Sequence, residues 1–172
     1  TARHVNTQMA NAINVINSIN PIGVFSAVNC VVASIHPDLL AESLPMQVKA
    51  LGKNKLTIVT NTKNYGEINS LVKEIHSNAA VINEDEFRER ITRENRAYSI
   101  AFTGGYGGVR NIGLYSSVRL QANCVFLDDD SFPAPDLFSK YALLFTQGAQ
   151  LVNGQVIGHS GGVVRSVLTL AN

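Results

Sequence analysis

Three consecutive carboxylates, Asp128, Asp129 and Asp130, follow the apolar run Cys124-Val-Phe-Leu127. A buried strand delivers such groups to its carboxyl end. Successive side chains of a strand point to opposite faces, so Asp128 and Asp130 are expected to share one side while Asp129 points away. Two hard oxygen ligands suit Mg²⁺ or Mn²⁺, which keep waters and bind substrate phosphates in their remaining positions. Without a cation, adjacent carboxylates repel and raise one another's pKa. A metal-bridged diphosphate is the ligand this chemistry points to. The alternative is an acidic strand-to-turn segment in which an aspartate caps the backbone that follows.

One helix upstream, Gly107-Gly-Val-Arg-Asn-Ile-Gly-Leu114 places Arg110 near a helix start, where a guanidinium can reach a phosphate bidentately. A surface ion pair is the alternative. Gly105-Tyr-Gly107 lacks a third Gly at position 110, so it is not the dinucleotide fingerprint, and no Gly-Lys-Ser/Thr forms a phosphate loop. His159 reads as a loop residue before it reads as a metal ligand. His4, His36 and His76 are scattered and read as surface or capping residues.

These groups need a scaffold, and the spacing of apolar residues predicts one. Val5, Met9, Ile13, Ile16 and Ile19 recur at helical spacing up to Asn20-Pro21, and residues 23–28 form a first buried strand. Leu39, Leu40, Leu44, Val48 and Leu51 make a helical stripe with Asp38 as its cap, Gly52 at its end and a kink or break at Pro45. Strand 55–59, a helix through Ile68, Leu71, Val72 and Ile75, and strand 79–82 follow. Residues 83–99, the most charged stretch, read as a solvated helix carrying Phe87 and Ile91, with a functional lid as the alternative. Residues 103–108 are a flexible Gly-rich loop, 109–122 a helix and 124–127 a strand. Alternating strands and helices predict an α/β fold with a mostly parallel sheet, which binds ligands at the carboxyl ends of its strands where their order reverses.

Composition narrows the classes. The 172 residues are 45% hydrophobic and 16% charged, enough apolar material for one packed domain. Lys plus Arg number 14 against 13 Asp plus Glu, a balance that lacks the basic footprint of nucleic-acid binding. The most apolar stretch, residues 22–35, is shorter than the ~20 residues of a membrane helix, and residues 1–20 do not read as a secretory signal. Two cysteines without a CxxC predict neither a disulfide framework nor a zinc site, and so a reducing, cytoplasmic setting. With Cys30 beyond one strand's carboxyl end and Cys124 at another's amino end, they are expected about 20 Å apart.

The Gly-rich loop, the Arg110-Asn111 pair opening a helix, and the apolar strand running into Asp128-Asp-Asp130 with Pro133 and Pro135 after it resemble the family 2 glycosyltransferases of the GT-A fold. Phe25-Ser-Ala-Val-Asn29 is similar to that family's opening strand and turn. Thr60 and Asn61 stand where its second strand ends in an acidic pair that contacts the base, and Ser160-Gly-Gly-Val-Val-Arg165 looks like its Gly-Gly segment before the acceptor region. The resemblance spans residues 23–168, its most specific part being the Arg-Asn to Asp-Asp-Asp block.

The resemblance implies a single GT-A-like domain over residues 1–172, a Rossmann-like three-layer sandwich that transfers a sugar from a nucleotide diphosphate donor, a UDP-sugar first, with Mn²⁺ or Mg²⁺. It implies metal contacts from Asp128 and Asp130, donor contacts from Ala27, Asn29, Asn61, Arg110 and Asp129, and an acceptor side at Gly161 and Gly162. No catalytic base is identified, because no Asp or Glu follows Asp136. That absence, with a chain starting at Thr1, leaves three readings: an acceptor half outside this sequence, a partner chain that supplies it, or a module that binds nucleotide sugar without turnover. Asp128-x-Asp130 is also similar to the nucleophile pair of haloacid-dehalogenase-like phosphatases, against which Phe132 and the late position count.

Overall fold

Val28–Ala33 (β1) is apolar at every position but Asn29, and its first five residues are buried. A strand that apolar needs cover on both faces. The computed structural model describes residue 25, residues 27–149 and residue 152. In it β1 pairs in parallel with β2 (Lys55–Thr60), Cys30 opposite Leu56, and with β4 (Asn123–Asp128), Cys30 opposite Val125. β3 (Ala80–Asn83) adds to β2, also parallel, giving the order β3-β2-β1-β4. Helix α1 (Pro37–Leu51) links β1 to β2, and α2 (Thr62–Ile75) links β2 to β3. The return to β4 runs through α3 (Glu84–Glu94), the single turn α4 (Arg96–Ser99), a 3₁₀ turn (Ile100–Phe102) and α5 (Tyr106–Arg119), and α6 (Leu137–Thr146) follows.

Val28, Cys30 and Val32 face a core shared with Leu40, Leu44, Ile68, Val72 and Phe138, from α1, α2 and α6. Val31 faces the other way, toward Val59, Phe87, Ile91, Phe102 and Ile112. Each such side chain, fully buried, contributes about 1.5–3 kcal/mol. The chain is therefore a Rossmann-like α/β sandwich, its sheet parallel throughout the described residues.

Among the described residues the first strand is β1, Val28–Ala33, and residues 25 and 27 of the expected strand 23–28 are not in it. Asn29 is accommodated inside β1 because its amide is satisfied there: Nδ2 donates to Ser117 Oγ of α5 at 2.9 Å, and Oδ1 accepts from Thr57 Oγ1 of β2 at 3.0 Å. Cys30 consequently lies beside Cys124 across the β1–β4 pair rather than about 20 Å away. The two still do not bridge, because they belong to opposite faces of the sheet. Burial raises the pKa of both thiols.

Asp38 lies in the first turn of α1, where Pro37 opens the helix and His36 holds the cap position without a side-chain bond. The helix continues through Pro45. Pro45 and Ala41, whose carbonyl the proline leaves without a helical donor, are both exposed, so water can satisfy that group. Residues 84–94 form the expected solvated helix, exposed along their outer face, with Phe87 and Ile91 buried on the inner one, where Phe87 meets Phe102 and Tyr115 edge to face at 5.2 and 5.4 Å. Helix α5 begins at Tyr106, inside the expected loop. A Cβ on Gly108 would lie 1.6 Å from the Thr103 carbonyl oxygen, so glycine there lets the helix start against the preceding turn. The expected first helix of residues 1–20, His4, His159, Gly161 and Gly162 lie outside the described residues.

Candidate functional site

Strand order reverses between β1 and β4, since β2 and β3 extend the sheet on one side of β1 while β4 returns to the other. Ligands of open parallel sheets bind outside the carboxyl ends at such a point. A cleft of about 460 Å³ lies there, bounded by Ala33, Ser34 and His36 after β1, Thr60 after β2, Glu84 after β3, Tyr106 on α5, and all three aspartates. Its size is that of a small-molecule site.

Asp128 is the last residue of β4, so strand alternation stops there. Asp129 and Asp130 occupy a turn closed by the Ser131 amide donating to the Asp128 carbonyl at 3.1 Å. The three side chains differ. Asp129 Oδ2 accepts from Ser34 Oγ at 2.8 Å. Asp128 is exposed, with Oδ1 4.0 Å from Arg110 Nη2. Asp130 is exposed and makes no hydrogen bond or ion pair among the described residues. Asp129 is therefore engaged with β1, while Asp128 and Asp130 are exposed at the cleft.

Arg110 is held in place by aromatic rings. Its guanidinium carbon lies 4.1 Å from the Tyr106 ring centroid and 5.2 Å from that of Phe126, and Nη2 donates to the Tyr106 hydroxyl. This places a cation at the margin of the acidic turn. Asn61 caps α2, its Oδ1 accepting from the Asn64 amide at 3.0 Å. Its neighbour Thr60 is buried on the cleft wall, and Thr60 Oγ1 has no hydrogen-bond partner among the described residues.

Ala27 and Asn29 are not in the cleft. Ala27 precedes β1, its carbonyl accepting from the Asn123 amide at the start of β4, and Asn29 is buried one residue into the strand. Both sit toward the amino end of the sheet, opposite the cleft. The misplacement follows from the displaced first strand, whose true carboxyl end is Ala33-Ser34. Ser34, His36, Glu84 and Tyr106 are cleft residues the sequence reading missed. The unbroken apolar stretch from Val31 to Ala33 was the available signal for Ser34 and His36.

Among the described residues, four carboxylates and no Lys or Arg line the cleft. Glu84 is ion-paired with Arg88. Among the described residues no three His, Cys, Asp or Glu side chains converge on a point that would cage a metal. Asp128 and Asp130 are two exposed carboxylates lining the cleft, of the hard-oxygen type that binds a cation keeping its waters and taking further oxygens from a ligand. No protein-family model, curated protein or solved structure matches this chain.

Proposed function

We propose that this chain is the donor-binding domain of a metal-dependent glycosyltransferase of GT-A type, which transfers a sugar from a nucleotide diphosphate donor, a UDP-sugar first among them. The observation that carries the reading is the acidic turn at the reversal point of the sheet, with Asp128 and Asp130 unengaged by neighbouring strands. The three adjacent carboxylates of the turn repel a bare diphosphate, so such a ligand enters best with a cation. Mn²⁺ or Mg²⁺ held by Asp128 and Asp130 would neutralise charge on the departing diphosphate. Asp129, tied to Ser34, keeps the middle carboxylate against β1, toward the nucleoside side. Arg110 stands beside the turn, where its guanidinium meets phosphate oxygens. Thr60 Oγ1 and the Asn61 amide nitrogen offer polar atoms for a base edge. Two free thiols, Cys30 buried and Cys124 half-buried, fit a reducing, cytoplasmic setting.

A second reading, a module that binds nucleotide sugar without turnover, is favoured by one observation: the one cleft carboxylate outside the acidic turn, Glu84, is bound to Arg88 and so is not free to deprotonate an acceptor. Thermal denaturation with uridine diphosphate, with and without Mn²⁺, tests the shared premise. Saturation a hundredfold above the dissociation constant adds about 2.7 kcal/mol, and the gain should need both components and vanish in Asp130→Ala. A gain that survives this substitution, or none at all, overturns the assignment. Release of uridine diphosphate from a sugar donor in the presence of acceptors then separates transfer from binding.

A further inference from the structure

We propose that Gln47 and Ser43, on the core side of α1, are positioning residues that hold the acidic turn in its ligand-binding shape; this rests on the reading of the cleft as a cation and diphosphate site. The two side chains lie one helical turn apart in a buried stripe otherwise made of Leu40, Leu44, Ala50 and Leu51. Polar groups buried there are unfavourable unless hydrogen-bonded. Their bonds converge on one target. Gln47 Nε2 lies 3.1 Å from the Asp128 carbonyl and 3.1 Å from the Ser131 carbonyl, and Ser43 Oγ donates to the Asp129 carbonyl. Gln47 Nε2 also lies 3.2 Å from Ser43 Oγ, so its two N–H groups are shared among three acceptors.

Three carbonyls of the turn are thus gripped from behind by one helix. Adjacent carboxylates push apart, and this grip opposes that repulsion by fixing the backbone that carries them. Gln47 Oε1 is buried with no hydrogen-bond partner among the described residues. The amide is therefore present at a cost, and its donor end is the part that is used. Neither Gln47 nor Ser43 lines the cleft, so both act on a ligand only through the turn.

The experiment compares the wild type with Gln47→Met, which keeps volume and removes the amide, Ser43→Ala, and Lys49→Met on the exposed side of α1. Two readouts are taken: amide hydrogen exchange of residues 128–131 without ligand, and calorimetric affinity for Mn²⁺ with uridine diphosphate. Gln47→Met should speed exchange in the turn and weaken Mn²⁺-dependent binding at least tenfold while the ligand-free melting temperature holds or rises. Ser43→Ala should move both readouts the same way by less, and Lys49→Met should move neither. Loss of binding at an unreduced melting temperature is the signature that a purely structural role does not produce. Unchanged exchange and affinity in Gln47→Met overturn the proposal; if that variant does not fold, unchanged readouts in Ser43→Ala do so. If the wild type itself binds neither component, the reading of the cleft falls, and the exchange comparison still decides whether α1 holds the turn.

Discussion

Ser34 Oγ donates a 2.8 Å hydrogen bond to Asp129 Oδ2, joining the carboxyl ends of β1 and β4 across 95 residues of sequence. The middle carboxylate is therefore spent within the protein while its neighbours face outward. Asp128→Asn and Asp130→Asn should each reduce Mn²⁺-dependent affinity for uridine diphosphate at least tenfold, about 1.4 kcal/mol. Asp129→Asn keeps an acceptor for Ser34 and should lose less. Equal losses at all three positions, measured by calorimetry, would contradict this division.

Arg110 is fixed by Tyr106 and Phe126 beside Asp128. Arg110→Ala should weaken uridine diphosphate more than uridine, because the diphosphate carries the charge a guanidinium recognises. Parallel titrations of the two compounds check this, and proportionate losses would remove Arg110 from phosphate binding.

Asn29 serves the core rather than the cleft. Asn29→Ala leaves Ser117 and Thr57 without their shared partner and should lower unfolding free energy by about 1–3 kcal/mol. Urea denaturation measures the loss. Nucleotide affinity of the folded protein should be unaltered, and a selective loss of binding would return this residue to the site.

Gly113 lets α5 pack directly on β1 and β4. A Cβ there would fall 2.4 Å from Val31 Cγ1 and 3.1 Å from Phe126 Cε1. Gly113→Ala should destabilise by about 1–3 kcal/mol through overpacking, despite the higher helix propensity of alanine. A variant as stable as the wild type would show that the helix can lift at no penalty.

Asp85 accepts from the Thr62 hydroxyl at 2.7 Å and from the Thr62 amide at 3.1 Å, and these bonds hold its carboxyl below the usual carboxylate range, with Arg88 assisting. Its folded-state pKa is lower than its unfolded one, so the contribution to stability is complete above about pH 4. It is lost as pH falls through the folded value. The stability difference between wild type and Asp85→Asn should therefore shrink as acid is added, and a difference independent of pH would remove the charge from the explanation.

Strands β2, β3 and β4 are legible in the sequence because each is a short apolar run bounded by turn residues or charge. β1 is legible only in part. A polar residue at position 29 argues for a strand end, and nothing local reveals that Ser117 and Thr57 complete its hydrogen bonds. That one error carried Ala27 and Asn29 into the site and left out Ser34 and His36. The start of α5 was hidden for a related reason: Gly107-Gly108 reads as a loop until the Thr103 carbonyl is seen pressed against it. The acidic turn was readable by composition, whereas its bracing by Ser43 and Gln47 depends on contacts more than 80 residues apart in sequence.

The Asn29 amide also has a bearing on how the chain finds its alignment. In the native pairing it meets hydroxyls from β2 and α5 on the face that carries Val31. Sliding β1 by a single position between its neighbours would turn that amide toward the apolar core of Leu40 and Leu44, away from the Ser117 and Thr57 hydroxyls. A slipped sheet therefore strands a polar group in oil, and the one residue that looks out of place in the central strand becomes a proofreading mark for the whole assembly.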